Sequence, residues 1–266
     1  MKINRVLASI FFLLFCAAGL AQDVRIVSLA PALTEIVCFL GKKELLVGRT
    51  AACDYPASVK NIASVGRFGT PEIERIIALK PTLVIGNDLM NMNIVRKLRE
   101  LGITVEVRQI NSPEDYICWL DFLAEKLACH DRVAAEKSRI NLQLAELKKF
   151  PALNKHIFWV VNAQPLMAAG NGTLPDKVIN LMQCQNSVGA VKNYFYCSQE
   201  QLLRSRIDLV IYAVPGSPNP RRGVWKHLPA VRQGKVVKNI ADSAVMRPGP
   251  RFLEEVIKLR KTVEIL

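Results

Sequence analysis

Histidine is scarce in this 266-residue chain, which contains only His130, His156 and His227. The three are far apart and fall near the ends of predicted elements, so no helix face or loop gathers them. A zinc site needs several converging His or Cys ligands, and a Ser-His-Asp triad needs a histidine beside a nucleophile and a carboxylate. The sequence therefore predicts neither a metal site nor a catalytic residue, which disfavours enzymes and zinc receptors.

Cysteine pairs with metal-ligand spacing are also absent, since no CxxC occurs. Beyond residue 21 the chain has six cysteines: Cys38, Cys53, Cys118, Cys129, Cys184 and Cys197. An even number allows complete pairing in an oxidising compartment. If each half of the chain pairs internally, Cys184 must meet Cys197. The alternative is free thiols that pack as small hydrophobic groups.

No apolar run approaches the roughly 20 residues that span a bilayer. The run Val6–Ala18 is shorter, follows Lys2 and Arg5, and precedes Gly19-Leu20-Ala21, which places small residues at cleavage positions. Residues 1–21 are therefore predicted to be a secretory signal peptide, cleaved after Ala21, and the mature chain is expected in the periplasm.

A lipid anchor on Cys16 is the alternative to cleavage after residue 21. A lipobox has a small residue immediately before its cysteine, and this chain has Phe15 there. The sequence therefore favours a cleaved signal peptide over a lipoprotein.

Acidic residues are outnumbered, with 36 Lys and Arg against 23 Asp and Glu, a formal net charge of +13. Loss of residues 1–21, which hold two basic residues and no acidic one, leaves +11. A basic surface favours an anionic ligand, or serves only solubility. No basic block interleaved with aromatic residues is present, and export separates the chain from nucleic acid, so no nucleic-acid partner is expected.

Strands alternate with helices along the chain. A β-branched run at Arg25–Leu29 precedes an apolar-periodic helix at Leu33–Leu40, and the unbroken apolar run Leu83-Val84-Ile85 predicts a buried parallel strand. A second series begins at Ile157 and closes with a helix over Arg251–Val263. This alternation predicts α/β architecture with parallel sheets and right-handed crossovers.

A long amphipathic helix is predicted between the two series, over Arg132–Phe150. Nineteen residues extend about 28 Å at 1.5 Å per residue, which is enough to bridge two lobes. We therefore expect an N-terminal lobe over residues 22–130, a linking helix over 131–150 and a C-terminal lobe over 151–266. The alternative is a surface helix on a single domain.

An internal repeat relates the two series. A shift of 126 residues places the segment from Glu74 to Ile85 on the segment from Glu200 to Ile211, with apolar residues matched and a carboxylate at the same place in both. The matched carboxylates near a helix start either offset the helix dipole or form a pair of docking charges, one on each lobe.

The chain resembles the periplasmic cobalamin-binding protein family of ABC importers, within the class of metal-chelate receptors whose lobes are joined by a helix. The likeness covers nearly all of residues 24–260. The matching segments are Arg25-Ile26-Val27-Ser28-Leu29-Ala30-Pro31 with Thr34-Glu35, Cys53-Asp54-Tyr55-Pro56, Ile73-Glu74-Arg75-Ile76, Ser198-Gln199-Glu200-Gln201-Leu202 and Arg247-Pro248-Gly249-Pro250-Arg251.

The resemblance implies a class III periplasmic binding protein, with two Rossmann-like α/β lobes of parallel sheets joined by a single long helix. It implies a monomer without catalytic activity or a cofactor of its own, which clasps a small chelate between the lobes. It also implies that one acidic residue on each lobe, here Glu74 and Glu200, meets arginines on the dimeric permease.

By the same resemblance, aromatic side chains from both lobes sandwich a flat macrocycle. The predicted ligand-binding residues are Phe68, Met167, Tyr194, Trp225 and Arg247, of which Trp225 is chosen from its loop and not from the family pattern. Ala52 stands where the family often has an aromatic residue.

Three functions remain open. The first is delivery of cobalamin or a related corrinoid to an ABC importer. The second is delivery of haem or a ferric siderophore, whose anionic groups could pair with Arg67, Arg247 and Arg251. The third, from another class, is a two-lobed α/β enzyme.

Gly170-Asn171-Gly172 lacks the Lys-Ser/Thr of a phosphate-binding loop and is predicted to be a flexible loop at the cleft.

Overall fold

The first sheet is built entirely from the N-terminal half of the chain. A computed structural model describes residues 24–240 and 244–266, so the predicted signal peptide and Cys16 lie outside the described residues. The elements of this half are β1 (Ile26–Ser28), α1 (Pro31–Phe39), β2 (Leu46–Arg49), β3 (Gly66–Arg67), β4 (Thr70–Pro71), α2 (Ile73–Ala78), β5 (Leu83–Asn87), α3 (Met92–Glu100) and β6 (Thr104–Arg108). Four strands form a parallel sheet in the order β2-β1-β5-β6, and β3 and β4 form a short hairpin. Every residue of β5 is buried, as its unbroken apolar run predicted.

Two consecutive helices lead out of this sheet: α4 (Pro113–Leu127) and α5 (His130–Lys149). The Ser112 hydroxyl accepts a hydrogen bond from the Asp115 backbone N–H at 3.1 Å, which caps the start of α4. Ala128, with φ of +48°, ends it. The 20 residues of α5 extend about 30 Å, and the predicted long helix is confirmed with its ends shifted by one or two residues.

The second sheet is built from the C-terminal half. Its elements are β7 (His156–Ala163), β8 (Leu166–Ala169), α6 (Leu174–Leu181), β9 (Gln185–Asn186), β10 (Tyr194–Tyr196), α7 (Gln199–Arg204), β11 (Leu209–Tyr212), α8 (Pro229–Arg232), β12 (Val236–Lys238) and α9 (Phe252–Ile265). The strand order is β10-β8-β7-β11-β12, with β9 also beside β7.

The α/β class with two lobes and a linking helix is confirmed, but one detail of the prediction is corrected: the second sheet is mixed. Strands β7, β11 and β12 are parallel, whereas β8 runs antiparallel to β7 and β10 antiparallel to β8. Only Gln164 and Pro165 separate β7 from β8, and so short a connection returns the chain as a hairpin and cannot make a crossover.

Each sheet has one face on a core that both lobes share. Side chains alternate between faces along a strand, so Ile157 and Trp159 of β7 enter the shared core while Phe158 and Val160 enter a separate cluster with Tyr212. The same alternation in β1 and β5 divides the N-terminal sheet between the shared core and its own cluster. Because α5 contributes Ile140 to the shared core, the lobes are packed together through the linking helix.

Of the two alternatives left open for the cysteines, the structure has free thiols: all six described cysteines are unpaired, and Cys184 is not bonded to Cys197. Cys184 lies in the shared core, whereas Cys197 lies in the cluster on the opposite face of the C-terminal sheet. The C-terminal sheet therefore separates the two sulfur atoms. Burial also raises the pKa of the Cys184 thiol to about 11.

The internal repeat is visible in the structure. Helices α2 and α7 are both six residues long and start 126 residues apart, and strands β5 and β11 start 126 residues apart as well. In the N-terminal sheet β5 lies between β1 and β6, and in the C-terminal sheet β11 lies between β7 and β12. The two halves therefore share one structural unit.

Candidate functional site

A cavity of about 270 Å³ lies between the lobes, at the carboxyl ends of β1 and β5. Ligands in open α/β sheets bind at such strand ends. The lining residues are Ala30, Pro31, Ala32, Phe68, Asn87, Leu89, Ile110, Asn111, Leu174, Tyr194, Met246, Arg247 and Pro248. The structure thus brings three of the predicted ligand-binding residues together, Phe68, Tyr194 and Arg247.

The two aromatic residues reach this cavity from different lobes. Phe68 is in the turn between β3 and β4 and is 37% exposed, and Tyr194 begins β10 and is 46% exposed. They are 126 residues apart, so they occupy matching places in the repeat. Burial of its ring, with a smaller effect from the Asp88 carboxylate of the other lobe, raises the pKa of Tyr194.

Met167 and Trp225 are placed outside this cavity. Met167 is half-buried on β8, where it pairs with Tyr196 across the ladder and shares the sheet face of Tyr194. Trp225 packs edge-on against Tyr212, with ring centroids 6.1 Å apart, and lines a separate cavity of about 540 Å³ within the C-terminal lobe.

Arg247 is held by carboxylates of the N-terminal lobe. Its Nη1 donates to Asp54 Oδ1 at 2.6 Å and lies 3.5 Å from Glu35 Oε1. Burial works against the charge of Asp54, but the hydrogen bond and charge of Arg247 outweigh it and hold the pKa of Asp54 below its ordinary value. The sequence alone did not reveal this pairing because the partners are 193 and 212 residues apart.

Arg251 completes the cluster. Its Nε and Nη2 donate to the two oxygens of Glu35 at 3.0 and 2.7 Å, and its guanidinium lies 3.6 Å from the centroid of the Tyr55 ring. Arg139 of α5 donates to the Pro250 carbonyl at 2.6 Å. The cluster consists of Arg247 and Arg251 with Glu35 and Asp54. Two guanidinium groups face two carboxylates, so these four side chains carry no net charge. Arg247 is the one charged residue among the described residues that line the cavity, so the cavity is close to neutral.

Asn87 and Asn111 line the cavity and were not predicted. Asn87 is 8% exposed at the carboxyl end of β5, and its Oδ1 has no hydrogen-bond partner among the described atoms. The signal that could have found it is its position, since polar side chains at strand ends face the ligand in this architecture.

Gly170 does not belong to a flexible loop. Its backbone N–H donates to the Asn193 carbonyl at 3.0 Å. The next residue, Asn171, forms an isolated backbone β-bridge with Lys192. A Cβ at position 170 would lie 2.2 Å from the Val191 carbonyl oxygen, so only glycine permits this approach. The segment is fixed beside Tyr194 and helps to place it.

Glu74 and Glu200 are exposed at the second residue of α2 and α7, away from the cavity lining. Glu200 pairs with Arg204 at 2.7 Å, and both side chains are largely exposed. Ala78 stands at the matching place in α2, so the carboxylate of Glu74 has no such partner within its own helix.

Residues 24–240 and 244–266 contain no group of three or more His, Cys, Asp or Glu side chains that could hold a metal ion. His156 starts β7 and lies 3.1 Å from Asp208 Oδ2. Within the same residues, no helix is long and apolar enough to cross a membrane.

Two α/β lobes joined by a helix, with an aromatic-lined cavity between them, define a two-lobed solute-binding protein. The chain belongs to the periplasmic binding protein family, Peripla_BP_2, whose model matches residues 26–239.

Curated relatives of the chain are ABC-transporter and vitamin-binding proteins. It is 24% identical over 254 residues to an uncharacterized ABC transporter substrate-binding lipoprotein, YvrC, of Bacillus subtilis, with 91% of this chain and 80% of that protein covered. It is 29% identical over 242 residues to a vitamin B12-binding protein of Vibrio cholerae serotype O1, with 87% and 86% covered. Among solved structures it resembles the periplasmic haem-binding protein HutB of Vibrio cholerae, with a TM-score of 0.77, 24% identity and coverage of 91% and 99%.

Proposed function

We propose that this chain is the solute-binding protein of an ABC importer and that it binds cobalamin or a related corrinoid between its lobes. The observation that carries the proposal is the pair Phe68 and Tyr194, which line one cavity from opposite lobes. Two aromatic side chains so placed can hold the faces of a flat macrocycle, with large apolar burial and favourable ring geometry. The vitamin B12-binding protein of Vibrio cholerae, 29% identical, supports the same ligand class.

The surroundings of the cavity fit a ligand that extends beyond it. Pockets for small molecules have volumes of about 300–1,000 Å³, so a chelate larger than the cavity protrudes from its mouth. Leu89 lines the cavity and is 65% exposed, and Tyr196, two residues after Tyr194, is 67% exposed. We propose that these rim residues and Met167 contact the protruding part. Trp225 takes part only if the ligand reaches the second cavity.

Haem is the second candidate, because HutB shares the fold. Haem carries propionates, and two of the three arginines predicted to pair with them, Arg247 and Arg251, are already bound to Glu35 and Asp54. The third, Arg67, is exposed on β3 and does not line the cavity. To bind Arg247 or Arg251, an anionic ligand must displace a carboxylate, at the cost of stranding a charge. The neutral cluster therefore favours a corrinoid over haem or a catecholate siderophore.

We further propose the cellular setting. Residues 1–21 direct export and are cleaved after Ala21. A lipid on Cys16 is the alternative, and YvrC carries the name of a lipoprotein. Residues 22–130, 131–150 and 151–266 act as lobe, linking helix and lobe. The mature chain is a monomer without catalytic activity, and Glu74 and Glu200 dock on the permease dimer.

One spectroscopic experiment tests the ligand. Purified residues 22–266 are incubated separately with cyanocobalamin, hemin and a ferric catecholate siderophore, desalted, and examined by visible absorption. We expect retention of cyanocobalamin at about one molecule per chain. Retention of hemin or siderophore alone would overturn the corrinoid proposal while the receptor role stands.

A further inference from the structure

The two copies of the repeat share exposed apolar residues as well as carboxylates. Eleven large hydrophobic residues of the described chain are exposed, and four of them form pairs exactly one repeat apart. One pair is Phe68 and Tyr194, which line the cavity. The other is Ile77 and Leu203, 39% and 48% exposed, which line none of the cavities described above. This second pair has no role in the cavity or in the cores.

Ile77 and Leu203 lie beside the docking carboxylates. On α2, Ile77 follows Glu74 by three residues. On α7, Leu203 follows Glu200 by the same spacing. Residues three apart are neighbours on a helix surface. The residue before each, Ile76 or Leu202, is fully buried and fixes how its helix faces solvent. Each lobe therefore presents a carboxylate and an apolar side chain together.

We propose that Ile77 and Leu203 are paired apolar contacts on the permease, each of which packs beside the arginine that its neighbouring glutamate meets. The inference rests on the proposed function. A partner with two copies of one subunit fits these two matched patches, since each subunit can supply the same apolar recess and the same basic group. Apolar side chains packed around a charge pair exclude water and so strengthen its electrostatic attraction. A carboxylate that stays exposed to solvent gains little from pairing with an arginine.

The test measures saturable binding of fluorescently labelled mature protein to spheroplasts of its own host that lack the chromosomal copy, with unlabelled protein as competitor. This readout requires no assumption about the ligand. The variant Ile77→Ser/Leu203→Ser should bind at least tenfold more weakly, because two apolar side chains leave the interface. Each single variant should show part of that loss, and the two parts should be similar if both patches engage.

Two further variants make the result specific. The control variant Leu101→Ser/Leu142→Ser removes two apolar side chains elsewhere on the chain, which are 54% and 72% exposed. It should bind like wild type. Glu74→Gln/Glu200→Gln tests the carboxylates and should also weaken binding. Thermal melts and the retention of cyanocobalamin should stay unchanged in all three.

The outcomes separate the two proposals. Normal binding by the apolar double variant together with weak binding by the carboxylate variant would overturn the inference and leave carboxylate docking in place. An equal loss in the Leu101/Leu142 control, or a lowered melting temperature confined to the Ile77/Leu203 variant, would also overturn it. Absence of saturable binding by the wild type would overturn both.

Discussion

At the scale of single residues, Phe68 and Tyr194 are partly exposed although both are large aromatic side chains. Neither belongs to the buried core clusters, so their removal has little effect on packing. Phe68→Ala/Tyr194→Ala should weaken retention of cyanocobalamin at least a hundredfold, since each ring contributes a few kcal/mol when it is covered. The apo protein should melt within about 2 °C of wild type, because exposed side chains contribute little to stability.

Equilibrium absorbance titration and calorimetry measure these two quantities. Leu101→Ala, at an exposed position outside the cavity, is the control. A large loss of apo stability in the double variant would show that the aromatic residues are part of the core, and the proposed sandwich would then be abandoned.

Asp54 neutralises Arg247, and its removal should change which ligands the cavity accepts. Asp54→Asn keeps the shape of the side chain and leaves one uncompensated positive charge at the cavity. We expect hemin affinity to rise several-fold at low salt, with cyanocobalamin affinity nearly unchanged. Titrations with both ligands measure the ratio. Glu44→Gln makes the same charge change at an exposed position, and an equal rise there would show a general charge effect instead.

The same carboxylate gives a pH dependence of stability with a defined sign. The pKa of Asp54 in the folded chain is below its ordinary value of 3.8, so its pairing stabilises the fold above that value and the contribution is lost as the pH falls through the lower folded pKa. Wild type should melt above Asp54→Asn by no more than about 3 °C at neutral pH, because the carboxylate is partly exposed and screened. The difference should close below pH 3.8, and a difference that grows on acidification would contradict this assignment.

At the scale of elements, the sequence predicted the repeated units well because their signals are local. Unbroken apolar runs identified β5 and β11, and equal spacing identified the carboxylates of α2 and α7. The antiparallel strands β8 and β10 were missed, since both are only partly buried and β8 pairs with β7 through a two-residue turn. The cluster of Glu35, Asp54, Arg247 and Arg251 could not be predicted, because only the packing of the lobes brings its members together.

The position of the C-terminal sheet between Cys184 and Cys197 predicts the redox state of the chain. Denatured mature protein treated with iodoacetamide without reductant should carry six labelled cysteines by mass spectrometry. The melting temperature should be the same with and without dithiothreitol, since no disulfide contributes to it. A linked peptide containing Cys184 and Cys197 would contradict the structure.

At the scale of the whole molecule, the shared core predicts that the lobes unfold together. Trp119 of α4 and Trp159 of β7 are both fully buried in that one cluster. Calorimetry should show a single transition whose calorimetric and van't Hoff enthalpies agree. Trp119→Phe/Trp225→Phe and Trp159→Phe/Trp225→Phe variants, each of which leaves one of the two buried tryptophans as the fluorescent probe, should give coincident melting curves. Two separated transitions would show that the lobes fold independently.

The continuous core also affects competition for the importer. Because the lobes are packed together through α5 and tied by the Arg247 and Arg251 cluster, we expect their relative position to change little when a ligand enters. Empty and loaded protein then display the proposed docking residues Glu74, Ile77, Glu200 and Leu203 alike, and we expect both forms to occupy the permease equally. Under the proposed function, uptake should follow the fraction of receptor that is loaded, and surplus receptor at scarce ligand should inhibit its own importer.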